Sequence, residues 1–278
     1  IDYDQFGGYE LFEKNGPYDI QQLDKDIAYL NKILAPVLKT PKKNGKYVPI
    51  YSNESKKIKQ LGFQAIEALA FSPLEGQLNS AKLVLALQQA VQSKGVHILF
   101  NTEVKKFKSH KKGVTIHTNL EAPLETKQLL ICTNGFAKQL MPGVDVVPAR
   151  GQVFITEPIP NLKFKGTYHF DEGFYYFRNV GNRILLGGGR QLDIAGETTI
   201  SPDLNEKIQL DLNSKLQQII SPGFNPKIEM RWSGIMSFSE NKLPINTLIS
   251  KNVCYAMICN GMGVSLSPIA AEKIVDIM

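Results

Sequence analysis

Two textures of strand alternate along this chain, and their order restricts the folds open to it. Asn79 can cap a helix running to about Ser93, Gly95 ends it, and the short apolar run Val96–Phe100 follows. Gln128–Thr133 is a second run of this kind and Val253–Cys259 a third. Continuous apolar runs suit strands buried on both faces. From Val146 onward the pattern alternates instead, over Gly151–Thr156, Thr167–Phe170, Phe174–Phe177, Ile184–Gly187 and Lys227–Phe238, as a sheet with one buried face requires. A chain that leaves the first texture and returns to it at the end assembles a domain from separate stretches. The expected class is α/β plus α+β: an α/β sheet of nucleotide-binding type with an inserted meander, and a mixed antiparallel sheet that roofs a pocket.

Smaller elements fill the frame. Asp19–Leu38 has apolar residues at helical spacing, and Leu204–Ile220 reads as a helix with Asp203 near its start. Ala65–Phe71 is a short apolar run. Thr102–Phe107 and Gly113–Thr118 pair as a hairpin around Lys105, Lys106, Lys108, Lys111 and Lys112. The net charge of +6 comes from 27 lysines against five arginines. No stacking aromatics interleave with the lysines, so they read as a solvated face, and no nucleic-acid partner is expected. Cys132, Cys254 and Cys259 sit in apolar runs without a CxxC, and the four histidines are dispersed, which leaves no metal site. No apolar run reaches membrane-spanning length, so no membrane partner is expected and a cytoplasmic setting fits.

The closing run VCYAMIC-NGMG-VSLSPIAAEKIVDIM joins an apolar strand to a helix through two glycines. Glycine admits close backbone approach, and a helix start offers free N–H groups and a positive dipole end. The arginines carry a second signal, because all five lie between Arg150 and Arg231. Arg gives planar, bidentate recognition that Lys does not. Arg178, Arg183 and Arg231 read as ion pairs at strand ends. Arg190 differs: Gly187, Gly188 and Gly189 precede it, leaving space beside the strand where an arginine could meet a carboxylate.

The segments Gly76–Val104, LLICTNGF, VPARGQVFITEP, GFYYFR, NRILLGGGR, RWSGI and NGMG occur in one order over almost the whole chain. As a set they resemble the D-amino-acid-oxidase superfamily of FAD-dependent oxidoreductases, which includes glycine oxidase and sarcosine oxidase. The resemblance implies a Rossmann-like FAD-binding domain, here represented by residues 76–145 and 251–278, and a substrate domain from residues 1–75 and 146–250. It implies cofactor contacts at Val104, at Thr133, Asn134 and Gly135, at Arg150, Gly151 and Gln152, and at Gly261, Met262 and Gly263. Arg190, Tyr175 and Tyr176 would line the substrate cavity and act as the catalytic group. The implied reaction is oxidation of an amine or amino acid by hydride transfer to flavin, giving an imine that hydrolyses.

Two positions depart from the family. Met236 stands where glycine oxidase carries an arginine, and Gly234 where sarcosine oxidase carries the cysteine that tethers its flavin. FAD is therefore expected to be non-covalent. Family members also open with a βαβ unit bearing GxGxxG, and none occurs in these 278 residues. On that ground the sequence reads as N-terminally truncated and inactive by itself, with no FAD bound to the fragment and with exposed strand edges open to non-native self-association. The rival readings are a flavin-free binding or scaffold protein of the same fold, and a tRNA-modifying amine oxidase of the same superfamily.

Overall fold

The computed structural model of the chain describes all residues except 41, 221–224, 258 and 259; of residues 42 and 43 it describes the backbone. The first stretch carries β1 (Gly8–Glu13), α1 (Leu23–Val37), β2 (Lys42–Lys43), β3 (Lys46–Tyr47), β4 (Ser52–Asn53), α2 (Ile58–Leu61) and β5 (Ile66–Ser72). Then come α3 (Ser80–Ser93), β6 (Val104–His110), β7 (Gly113–Thr118), β8 (Leu124–Thr126) and β9 (Leu129–Ile131). The alternating stretch gives β10 (Val147–Thr156), β11 (Thr167–Phe170), β12 (Tyr175–Val180), β13 (Arg183–Gly188), α4 (Glu206–Lys215) and β14 (Ile228–Phe238). Finally β15 (Ile245–Ser250) and β16 (Val253–Met257) lead to α5 (Gly263–Ile277).

The chain divides into two compact units. The first comprises residues 1–83, 151–194 and 203–233; the second comprises 84–150, 195–202 and 234–278. The large sheet is eight-stranded, in the order β14-β10-β13-β12-β11-β1-β5-β4. It is mixed, since β1 lies parallel to β11 and antiparallel to β5. Strand alternation puts Tyr9, Leu11, Tyr168, Phe170, Tyr175 and Phe177 on one face, where they join a buried cluster with Ile208 and Leu212 of α4. Tyr9, Tyr168 and Phe177 stack across three strands at centroid distances of 4.9 and 4.8 Å. Aromatic residues on a half-buried strand supply this core because each buries a large apolar area.

The second unit holds two three-stranded sheets, β15-β16-β9 and β6-β7-β8. Strands β9 and β16 pair in parallel, and Ile131 and Val253 pack with Val114 of the hairpin. The lysine-rich hairpin forms as expected, with β8 added at its side.

Two expectations need correction. Val96–Phe100 is not a strand: among the described residues no strand runs beside it to complete a ladder, and Val96, Leu99 and Phe100 are 51%, 59% and 67% exposed. The helix expected over Leu204–Ile220 is α-helical only to Lys215, and a π-helical turn, Leu216–Ile220, continues it. Asn205 caps it by accepting the Ile208 N–H. The expected strand from Val253 is present over Val253–Met257, and its last two residues, Ile258 and Cys259, lie outside the described residues. Asn79 does cap its helix, its Oδ1 accepting the Lys82 N–H at 3.1 Å.

Candidate functional site

The face of the large sheet opposite its aromatic core carries ionisable groups. Cross-strand register aligns Ala70, Glu10, His169, Tyr176 and Gly187 in one row. One row away lie Gly8, Thr167 and Arg178. Two glycines make room there. A Cβ on Gly187 would stand 2.7 Å from the Tyr176 ring, and one on Gly8 would stand 2.0 Å from the Glu75 carboxylate. Glu75 thus reaches over the sheet where β1 and β11 begin, within 3.4 Å of the Thr167 hydroxyl.

Burial governs the electrostatics of this face. It pushes the Glu10 carboxyl up to about 7, with Glu75 adding to the shift. Burial also lowers His169, against the opposing influence of Glu75, and raises the Tyr176 phenol. Arg178 is lowered by burial as well. Among the described residues, the side chains of Glu10, His169, Tyr176 and Arg178 have no hydrogen-bond or ion-pair partner. Half-buried ionisable groups in this condition mark a candidate ligand site, since lost hydration is otherwise uncompensated.

The structure separates several residues that the sequence grouped. Tyr175 points into the core, and its hydroxyl donates to Asp211 Oδ2 at 2.7 Å. Tyr176 points the other way, so the two do not line one cavity. The space expected beside Gly187–Gly189 is taken by the Tyr176 ring at Gly187 and by the Phe174 carbonyl at Gly188. Arg190 opens a short 3-10 turn, Arg190–Leu192, beyond the end of β13. Gln152 is buried on the core side; it accepts from Gln209 Nε2 at 3.1 Å, and Gln209 Oε1 accepts from Arg231 at 2.6 Å. Gly151 is buried beside it in β10. Arg231 therefore holds a glutamine and stacks on Phe154 rather than making the expected ion pair. Arg183 does make one, with Glu229. Arg178 makes none among the described residues, which also departs from expectation.

In the second unit, Arg150 is committed to Glu197 through two hydrogen bonds of 3.0 and 2.7 Å. Val104 begins β6, opposite Thr118. Thr133 precedes the 3-10 turn Asn134–Gln139, and Gly135 packs against the Met236 backbone, which a Cβ would approach to 2.6 Å. Packing alone therefore requires glycine at position 135. The residues closest to a cofactor cradle are Asn134 and Asn260. Asn134 Oδ1 accepts the Ser237 hydroxyl, and the Asn260 N–H donates to the Ser237 carbonyl. Both polar atoms of the Asn260 side chain are buried without a partner among the described residues. Gly261 follows with φ +76°, a left-handed turn suited to glycine, and Met262 and Gly263 open α5. Nearby, a cleft of about 410 Å³ is lined by Cys132, Asn134, Met257, Gly263, Ser267 and Ala270. Orphaned amide atoms beside free helix N–H groups and a cleft walled by small residues fit a polar, planar cofactor such as a flavin.

Comparison with known proteins decides the family. The model of the FAD-dependent oxidoreductase family DAO matches residues 1–277. The chain belongs to this family. Over 97 residues it is 31% identical to L-2-hydroxyglutarate dehydrogenase of Escherichia coli K12, which is 33% of this chain. That match spans 23% of the relative's length. Glycine oxidase from Bacillus cereus superposes with a TM-score of 0.77 at 15% identity, covering 100% of this chain and 73% of that one. L-proline dehydrogenase from P. horikoshii gives 0.75 at 19% identity, covering 98% and 71%. At such identities the superpositions establish the fold, mixed α/β with a large mixed sheet.

Sequence reasoning missed Glu10, His169 and Glu75. A signal was present in the first two: each is an ionisable residue flanked by aromatic or aliphatic neighbours in a strand (Tyr9-Glu10-Leu11, Tyr168-His169-Phe170), the pattern of a sheet whose second face is functional.

Proposed function

We propose that this protein oxidises an amine or an amino acid with FAD, the first unit receiving the substrate and the second the cofactor. The observation that carries the reading is the row Glu10, His169, Tyr176, with Arg178 beside it, on a family fold whose other face is fully used as core. FAD, when bound, supplies the acceptor for a hydride from the carbon next to the substrate nitrogen. The protein's own residues bind, orient and exclude water. Asn260 and Asn134 hold polar edges of the cofactor, with the Gly261–Gly263 turn allowing close approach. Tyr176 positions the substrate from the sheet. Arg178 on the same face, or Arg190 past the end of β13, receives a carboxylate where the substrate has one. A fixed substrate lowers the barrier through orientation, so no nucleophile or metal is needed. Among the described residues no cluster of metal-ligating side chains occurs.

The test is flavin binding and bleaching. The protein is mixed with FAD, cleared of free cofactor, and exposed without oxygen to a panel of amines and amino acids. Retained yellow colour that fades with a panel member supports the proposal. A protein that retains FAD but is bleached only by hydroxy acids overturns the substrate class, and one that never retains FAD removes the cofactor contacts proposed for Asn134, Asn260 and the Gly261–Gly263 turn.

A further inference from the structure

Glu10 belongs to two features at once. On the open face it stands in register with His169 and Tyr176. It also borders a cleft of about 260 Å³ at the end of β1, lined by Phe12, Glu13, Tyr18, Asp171 and Glu172. Among the described residues, no lysine or arginine lines this cleft. Two of its carboxylates are already engaged: Glu13 by Lys215 at 3.0 Å, and Asp171 by Gln191 at 2.8 Å. Phe12 and Tyr18 form an aromatic wall with centroids 4.5 Å apart. Glu10 has no such partner among the described residues, and its nearest charged influence is Glu75, which repels it.

We propose that Glu10 binds the cationic nitrogen of an aliphatic amine and accepts its proton. The inference rests on the amine-oxidising reading and names the group that recognises the amine. An ammonium ion is the ligand that this environment lacks. It would relieve the repulsion between Glu10 and Glu75, provide charge-assisted hydrogen bonds to a half-buried carboxylate, and lie against aromatic faces that attract cations. An anion would meet the opposite. The proton step balances simply: one N–H bond of the ammonium breaks, one O–H bond forms on Glu10, and the freed nitrogen lone pair is what hydride loss from the adjacent carbon requires. Burial raises the proton affinity of Glu10, which narrows but does not close the gap to an aliphatic amine.

Butylammonium is the probe, and binding is measured by calorimetry on the protein itself, at pH 8 and at pH 5.5, for wild type and for Glu10→Gln, Glu10→Asp and His169→Gln. The expected result is a loss of about 10-fold or more in affinity for Glu10→Gln at pH 8, with partial recovery in Glu10→Asp. Wild type should lose affinity to a similar degree at pH 5.5, where Glu10 is protonated, while Glu10→Gln stays flat. The His169→Gln variant must keep the pH dependence, since His169, Tyr176, Tyr51, Glu75 and Arg178 also face this region. If Glu10→Gln fails to fold, the wild-type pH series together with Glu10→Asp decides. Absence of butylammonium binding, or equal affinity in wild type and Glu10→Gln, overturns the assignment. Binding that depends on Glu10 without flavin bleaching by any amine leaves the recognition intact and removes the oxidase reading. Bleaching that is indifferent to Glu10 does the reverse.

Discussion

Arg150 and Glu197 meet through two parallel hydrogen bonds, with side chains 8% and 0% exposed. The guanidinium also donates to the carbonyls of Ser201 and Gly196. A pair so enclosed contributes little net energy when intact, but each partner is costly to leave alone. Glu197→Ala should lower stability by about 3–5 kcal/mol, read from urea denaturation. The double replacement Arg150→Met with Glu197→Leu should cost clearly less than the single change. Equal costs would show that packing, not charge, dominates here.

Tyr175 and Tyr176 should respond oppositely to loss of a hydroxyl. Tyr175→Phe removes the bond to Asp211 inside the core and should cost about 1–3 kcal/mol in thermal or chemical melts. Tyr176→Phe should stay within about 0.5 kcal/mol, because its hydroxyl has no partner among the described residues. Its effect should appear in substrate affinity.

Gly188 cannot accept a side chain. Its φ is +122°, and a Cβ would fall 2.0 Å from the Phe174 carbonyl oxygen. Gly188→Ala should therefore destabilise by about 2 kcal/mol or more. Gly143→Ala, where nothing lies within 4 Å and φ is not positive, is the control and should be close to neutral.

The pH dependence of stability should carry the signature of Glu10. Its folded value is raised, so between about 4.5 and about 7 the folded protein binds more protons than the unfolded chain. Stability attributable to this group is then greatest at low pH and falls as pH rises through the window. Glu10→Gln should be more stable than wild type at pH 8, on the order of 1–3 kcal/mol after allowance for partial exposure. The advantage should vanish near pH 4. Paired denaturation curves at the two pH values check the sign.

Much of the fold was legible because strand alternation and turn residues are local signals. Thr102 to Thr118 shows hairpin, lysine-rich turn and return strand without tertiary help. Val96–Phe100 shows the limit: its composition states a preference for burial, but a strand exists only where a neighbour completes the ladder. The site was less legible. Tyr175 and Tyr176 are alike in sequence, and only the direction of the pleat separates a core residue from one facing a ligand. Arg150 and Gln152 border a family motif, but the side chains they bond to lie outside it. Their partners, Glu197 and Gln209, are 47 and 57 residues away and leave no local trace.

The parallel pairing of β1 with β11 has a consequence for synthesis. Gly8 and Thr167 are register partners, 159 positions apart (167 − 8). At roughly 5–20 residues per second, the ribosome delivers β11 some 8–30 s after β1. β5 emerges earlier and can occupy one edge of β1, bringing Phe71 to Tyr9, while the other edge waits and Tyr9 lacks Tyr168, on which it stacks in the folded protein. Ring closure over so long a span also slows folding relative to local contacts. The nascent chain therefore passes through an interval in which its central strand is half-clad, and slowing translation after β5 should lengthen the period in which chaperones or stray strands can reach it.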